Sequence, residues 1–218
     1  MKKCFFTIAL VAMAVSVSAQ IKLDGVVGLN LANQSVSDGD KSGSGDSKIG
    51  LKVGVTGDYS LSDYFSLQAG LVFSQKGVKE SDSETYGGQT YEYESKTTLN
   101  YLQIPVNAVG RYKINDDISV FGLAGPYLAF ALSGKNNVKV SGGGQSESES
   151  ESIKFGSSDD KMNGFDYGLT LGAGVEYKLF SLRLEYDLGL GKLYNGSGDA
   201  SLKNRNFGIS VGYSFFLK

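Results

Sequence analysis

Arg111, Glu176, Arg183 and Glu185 are the side chains whose types and placement bear most directly on chemistry. They fall on the polar faces of segments that alternate polar and apolar residues, and Asp187 follows two residues beyond Glu185. Acidic pairs in such a setting can act as general acid and base. Buried charges that do no chemistry must instead be paired or hydrated. The self-satisfied plug is the preferred expectation, because the rest of the catalytic inventory is missing. The sequence has no histidine and one cysteine, Cys4. The commonest general base and the commonest metal ligand are therefore absent. No serine constellation or metal motif supplies a nucleophile, so neither an enzyme nor a cofactor is expected.

A second group of residues lies in polar stretches. Glu147, Glu149 and Glu151 alternate with serines from Ser146 to Ser152. In a strand they share one face and offer three carboxylates to a cation; as low-complexity sequence they read as a solvated hairpin tip or loop. Asp38, Asp40 and Asp46 sit among glycines but lack the spacing and terminal Glu of a calcium loop. Tyr86, Tyr91 and Tyr93 are either a recognition surface, since tyrosine gives contact area at low entropic cost, or part of a strand pair extended above a membrane. Gly142-Gly143-Gly144 is no phosphate cradle, since no strand-to-helix context follows it.

The elements that must position these residues repeat with a period of two. Ile49, Leu51, Val53, Val55, Gly57 and Tyr59 alternate with Lys48, Gly50, Lys52, Gly54, Thr56 and Asp58. The same alternation runs through Phe165–Lys178, Ser181–Leu190 and Phe207–Leu217. Eight such segments are predicted, at 21–32, 48–60, 65–76, 98–113, 118–132, 163–178, 180–190 and 205–217. Most reach the roughly 9–11 residues a tilted strand needs to cross a bilayer. The links alternate in length. Leu61–Tyr64, Ile114–Asp117 and Leu179 are short, whereas 33–47, 77–97, 133–162 and 191–204 are long and polar. Short turns at one end and long loops at the other are the pattern of an outer-membrane barrel, with the long loops outside.

The fold class that follows is all-β: a transmembrane up-and-down antiparallel β-barrel of eight strands. Lipid is the outer solvent of such a barrel, so the apolar faces point out and the polar faces fill the lumen. Eight strands leave an interior just wide enough for side chains. Tyr59, Phe65, Tyr112, Tyr177, Tyr213 and Phe215 lie near the short turns, and Phe73, Phe165, Tyr167 and Phe207 near the long loops. They fit two interfacial belts. Pro105 and Pro126 fall inside strands of a barrel with no edges, so bulges are expected there. The segment from Ile118 to Leu132 is apolar on both faces and leaves its register open.

The N-terminus reads as a secretory signal. Lys2 and Lys3 precede an apolar run from Cys4 to Val17, and Val17-Ser18-Ala19 offers a cleavage site before Gln20. The organisation expected is a signal peptide at 1–19 and a barrel domain at 20–218, in the outer membrane of a Gram-negative bacterium. Cleavage removes Cys4 and takes the net charge from −2 to −4 by removing Lys2 and Lys3. The mildly acidic remainder has no basic stripe, so no nucleic-acid partner is expected.

The stretch Leu99-Asn100-Tyr101-Leu102-Gln103-Ile104-Pro105-Val106 resembles a strand motif of the Bacteroidetes-type outer-membrane β-barrel family, also described as porin-family or PorT-like. The Leu182–Leu188 and Phe207–Phe216 segments are similar to that family as well. The resemblance implies an eight-stranded barrel inserted into outer-membrane lipid by the assembly machinery, and it implies no enzyme. The function expected is structural or surface interaction through long extracellular loops. Two alternatives stay open: a narrow pore for ions or small solutes, and a soluble periplasmic ligand-binding barrel with its apolar faces inside.

Overall fold

The computed structural model describes residues 21–38, 41–156, 161–194 and 201–216; for 37, 38, 41–44, 86 and 216 it describes the backbone alone. The expected signal segment lies outside the described residues. Ten strands are present among them: β1 (Ile21–Asp38), β2 (Lys41–Ser44), β3 (Lys48–Ser60), β4 (Phe65–Tyr86), β5 (Gln89–Lys113), β6 (Ile118–Gly142), β7 (Gln145–Ser152), β8 (Phe165–Tyr177), β9 (Phe180–Gly189) and β10 (Ser201–Phe216). Eight of them close a ring in the order β1-β3-β4-β5-β6-β8-β9-β10, every pairing antiparallel. Closure runs from Lys22↔Phe216 to Ser37↔Ser201. β2 and β7 stand outside the ring, paired to the upper ends of β1 and β6.

Each of the eight expected segments falls on one of the eight ring strands, and β1, β4, β5, β6 and β10 run further than expected at the long-loop end. Their alternation resolves inside out. Val27, Leu29, Val53, Val55, Leu169, Leu171, Ile209 and Val211 are exposed on the outer wall. Asp24, Asn30, Lys52, Thr56, Gln68, Asn107, Arg183 and Asn206 are buried in the lumen. This is the reverse of a soluble ligand-binding barrel, and only a hydrocarbon solvent makes it stable.

β6 departs from the simple scheme. Phe121, Leu123, Tyr127 and Ala129 point inward and are buried. They fit because β8 turns glycines towards them. A Cβ on Gly168 would meet the Tyr127 ring at 2.8 Å, one on Gly172 would meet Leu123 Cδ1 at 3.2 Å, and one on Gly174 would strike the Phe121 ring. Large side chains on one strand fill the space their neighbour leaves, so the two-faced apolarity of β6 is interior packing.

The prolines produce gaps in pairing rather than the expected bulges. β4–β5 pairing skips from Ala69↔Val106 to Val72↔Gln103, leaving Pro105 without a partner on β4 and the register unchanged. β5–β6 pairing likewise skips from Pro105↔Tyr127 to Ala108↔Ala124. The true register shift lies higher. Tyr101 pairs with Ala131 and Asn100 with Ser133, so Leu132 is an extra residue in β6.

The long links 77–97 and 133–162 resolve towards the strand-pair and hairpin readings of their tyrosine and Ser-Glu stretches. β4, β5 and β6 continue past the barrel, and with β7 they form a projecting sheet in the order β4-β5-β6-β7. Two glycine pairs close its hairpins: Gly87 and Gly88 at φ 61° and 81°, and Gly143 and Gly144 at φ 59° and 78°. Two consecutive positive φ angles make the hairpin turn whose twist matches the strands, which glycine adopts without strain.

Candidate functional site

The lumen charges form layers. In the layer nearest the short turns, Arg111 donates from Nε to Glu176 Oε2 at 2.9 Å and from Nη2 to Glu176 Oε1 at 3.2 Å. The same Nη2 reaches Asp58 Oδ2 at 3.1 Å. Lys22 Nζ adds a 2.7 Å bond to Glu176. Planar two-point contact between guanidinium and carboxylate is the strong form of this interaction. In the middle layer Arg183 pairs with Asp24 and Lys52 with Glu185. Asp187 accepts from Thr170 Oγ1 at 2.7 Å and Gln103 Nε2 at 3.2 Å. In the upper layer the fully buried Lys76 lies 3.3 Å from Asp166 and 4.2 Å from the centre of the Tyr127 ring. Asp166 also accepts from Asn204 at 2.9 Å and from the Tyr127 hydroxyl at 3.3 Å.

Arg111 and Glu176 thus meet each other, whereas Arg183 and Glu185 each meet a different partner. Sequence reasoning missed those partners: Asp24, Lys52 and Asp58, with Lys22, Lys76 and Asp166. A parity signal was available, because each occupies the polar face of its alternating segment. Lys178, the last residue of the alternating segment from Phe165, lies apart from these layers. It sits in the turn after β8 at φ 55°, exposed, 3.9 Å from Asp117. A void beside Lys52, Arg183 and Glu185 amounts to about 10 Å³, room for roughly one water.

Above the charges the mouth is closed by an apolar cluster. Leu99, Tyr101, Tyr127 and Ala129 from the strands bury Leu193 from the β9–β10 link, and Ile153, Phe155, Met162 and Leu202 pack against them. Backbone bonds fasten this cover: Asn163 N donates to Leu193 O and Leu193 N to Leu202 O, both at 2.9 Å.

The residues expected in the loops lie on the projecting sheet. Register sorts its side chains onto two faces. One face carries the rows Val78–Thr97–Asn136–Glu151, Glu80–Ser95–Val138–Glu149 and Asp82–Tyr93–Val140–Glu147. Tyr91 pairs with Glu84 in the next row, and its ring lies over Gly142, where any Cβ would collide with it. Tyr91, Tyr93 and Val140 are exposed there. Tyr86 pairs with Gln89 through its backbone; its side chain is outside the described residues. The opposite face carries Lys79, Lys96, Lys135, Lys139, Glu92 and Glu94 among serines. On it Lys79 Nζ lies 2.7 Å from Glu94. The hydrogen bond from Lys79, helped by the charges of Lys96 and Lys139, holds the Glu94 carboxyl below the ordinary glutamate range.

Among the described residues no group of His, Cys, Asp or Glu is arranged to hold a metal ion. Glu147, Glu149 and Glu151 do share a strand face, but successive same-face residues stand about 7 Å apart, too far to converge on one cation. Asp46 sits apart from them, bridged to Lys79; Asp40 and the Asp38 side chain are outside the described residues.

The model of the family described as "Outer membrane protein beta-barrel domain" matches residues 18–195. The chain belongs to this family. Its members' name gives the location that the inside-out wall requires, the outer membrane. Among solved structures the chain is similar to Ail, the attachment invasion locus protein of Yersinia pestis, at 20% identity and a TM-score of 0.38, covering 90% of this chain and 99% of that one. It is similar to Neisserial surface protein A at 14% identity and a TM-score of 0.40, covering 89% and 97%. A de novo designed transmembrane β-barrel matches at 17% identity and a TM-score of 0.36, covering 90% and 95%. No curated protein matches.

Proposed function

We propose that this protein is a surface-interaction protein whose barrel is an anchor and whose projecting hairpins carry the contacts. One observation supports this above the others: the lumen is filled by complementary charges and closed by the Leu193 cluster. An ion crossing it would have to displace paired, buried groups, each costing several kcal/mol to strip of its partner. The narrow-pore reading has no comparable support.

We further propose the Bacteroidetes-type, PorT-like assignment, on the Tyr101-Leu102-Gln103-Ile104-Pro105 stretch. Removal of residues 1–19 at Ala19–Gln20 and insertion into outer-membrane lipid by the assembly machinery belong to the same reading. Single-channel recording tests it. The chain from Gln20 onward, refolded into a planar bilayer and shown to be inserted by a heat-dependent gel shift, is expected to be silent, as is an Arg183→Ala variant. Steady conductance of the unaltered chain that changes in the variant would replace the anchor with a pore lined by the inward charges.

A further inference from the structure

The projecting sheet separates its charges by face, and nothing in the folding of a barrel demands that. The face bearing Tyr91 and Tyr93 carries Glu80, Asp82 and Glu84 on β4 and Glu147, Glu149 and Glu151 on β7. No lysine or arginine lies in those rows, and among the described residues no ion pair involves the six carboxylates. Between the two acidic borders runs an apolar strip of Tyr91, Tyr93, Val138 and Val140 on β5 and β6. At its foot, beside Thr97, Asn136 and Glu151, a cavity of about 410 Å³ is walled by Ile153, Met162 and Tyr194, with Lys154, just beyond β7, as the one cation in its lining.

We propose that this face docks a cationic, extended polypeptide segment in which apolar residues alternate with lysine or arginine. The apolar residues lie on the tyrosine–valine strip, the flanking cations reach the borders on β4 and β7, and one large apolar side chain enters the cavity beside Met162. Charge complementarity selects this occupant. A second copy of the same face would set carboxylate against carboxylate, and an anionic lipid surface or nucleic acid would be repelled by both borders. A single metal ion cannot collect carboxylates spaced along a strand. The strip supplies affinity, since exposed aromatic and aliphatic surface gains by leaving water. The borders supply orientation and on-rate, so binding weakens as salt shortens the reach of the charges.

This inference rests on the surface-interaction reading and deepens it. Its test uses the chain from Gln20 onward in nanodiscs of zwitterionic phosphatidylcholine, titrated with a short fluorescent peptide alternating lysine and valine. A glutamate–valine peptide and empty nanodiscs are the controls. The lysine peptide is expected to bind, and the glutamate peptide is not. Binding should weaken about tenfold in the combined Glu147→Gln, Glu149→Gln, Glu151→Gln variant and about threefold in Tyr93→Ser. Lys135→Gln with Lys139→Gln, on the opposite face, should not weaken it. Equal binding of the two peptides would overturn the proposal, as would a triple variant that binds like the parent. Stoichiometric calcium binding to this face that abolishes peptide binding at constant ionic strength would make it a cation site instead. A conducting barrel would remove the surface-interaction reading through a different readout, whereas a silent barrel indifferent to the peptide would remove this inference alone.

Discussion

The lumen and the projecting sheet are built from the same alternating strands, yet they treat charge in opposite ways. In the lumen Arg111, Arg183, Lys52 and Lys76 each meet a carboxylate across the barrel. On the tyrosine face of the sheet, carboxylates gather without a cation among them. The difference follows from solvent. An unpaired charge out of water costs several kcal/mol, so most interior charges are paired and Asp187 is held by hydrogen bonds from Thr170 and Gln103. In water the same charge costs little, and selection is free to sort charges for a partner. Pairing marks the interior here, and separation marks a face that meets water.

That contrast can be broken most severely at Asp166. Asp166→Ala leaves Lys76 buried between two rings with no counter-charge, and it should cost about 3–5 kcal/mol of unfolding free energy in lipid vesicles. A loss under about 1 kcal/mol would mean the interior does not enforce pairing. A replacement that removes both partners sharpens the point. Lys52→Met with Glu185→Leu should fall within about 1 kcal/mol of the parent, while either change alone costs about 3 kcal/mol. On the sheet, the triple Gln variant of Glu147, Glu149 and Glu151 should leave the unfolding midpoint unchanged. A lowered midpoint would show that those carboxylates hold the fold together. The smallest effect belongs to Glu94, which Lys79 holds below the ordinary glutamate range. A carboxyl with a depressed pKa stabilises the hairpin above its unfolded value, and the contribution fades as pH falls through the lowered one. In Lys79→Ala an NMR titration of Glu94 should move up towards the ordinary range; an unmoved titration would deny the bond.

The barrel was legible because its period is unambiguous where one face meets lipid. Lys48 to Tyr59 alternates in sequence, and the structure turns the apolar face outward as that alternation requires. β6 was less legible because Phe121, Leu123 and Tyr127 fill space left by glycines on β8, a relation no single segment displays. The hairpin extensions of β4–β5 and β6–β7 were legible only as one of two readings, a strand pair above the membrane at Tyr86–Tyr93 and a hairpin tip at Ser146–Ser152, because both of their faces meet water and their apolar alternation is short. The lumen pairs were half visible. The residues could be placed on the inward faces, but Lys22 and Glu176 are 154 positions apart, and only barrel closure decides who meets whom.

The extra residue at Leu132 has a consequence of its own. It lies where β6 leaves the barrel, and every residue beyond it has changed sides relative to the unbulged count. Deleting it would turn Lys135 and Lys139 towards Tyr91 and Tyr93, and would carry Val138, Val140 and, through β7, the three glutamates round to the serine face. The barrel below would keep its own parity. A one-codon deletion would therefore exchange the two faces of the projecting sheet on β6 and β7 while leaving the barrel's own pairing untouched, so the chemistry of the exposed sheet and the integrity of the barrel can evolve on separate clocks.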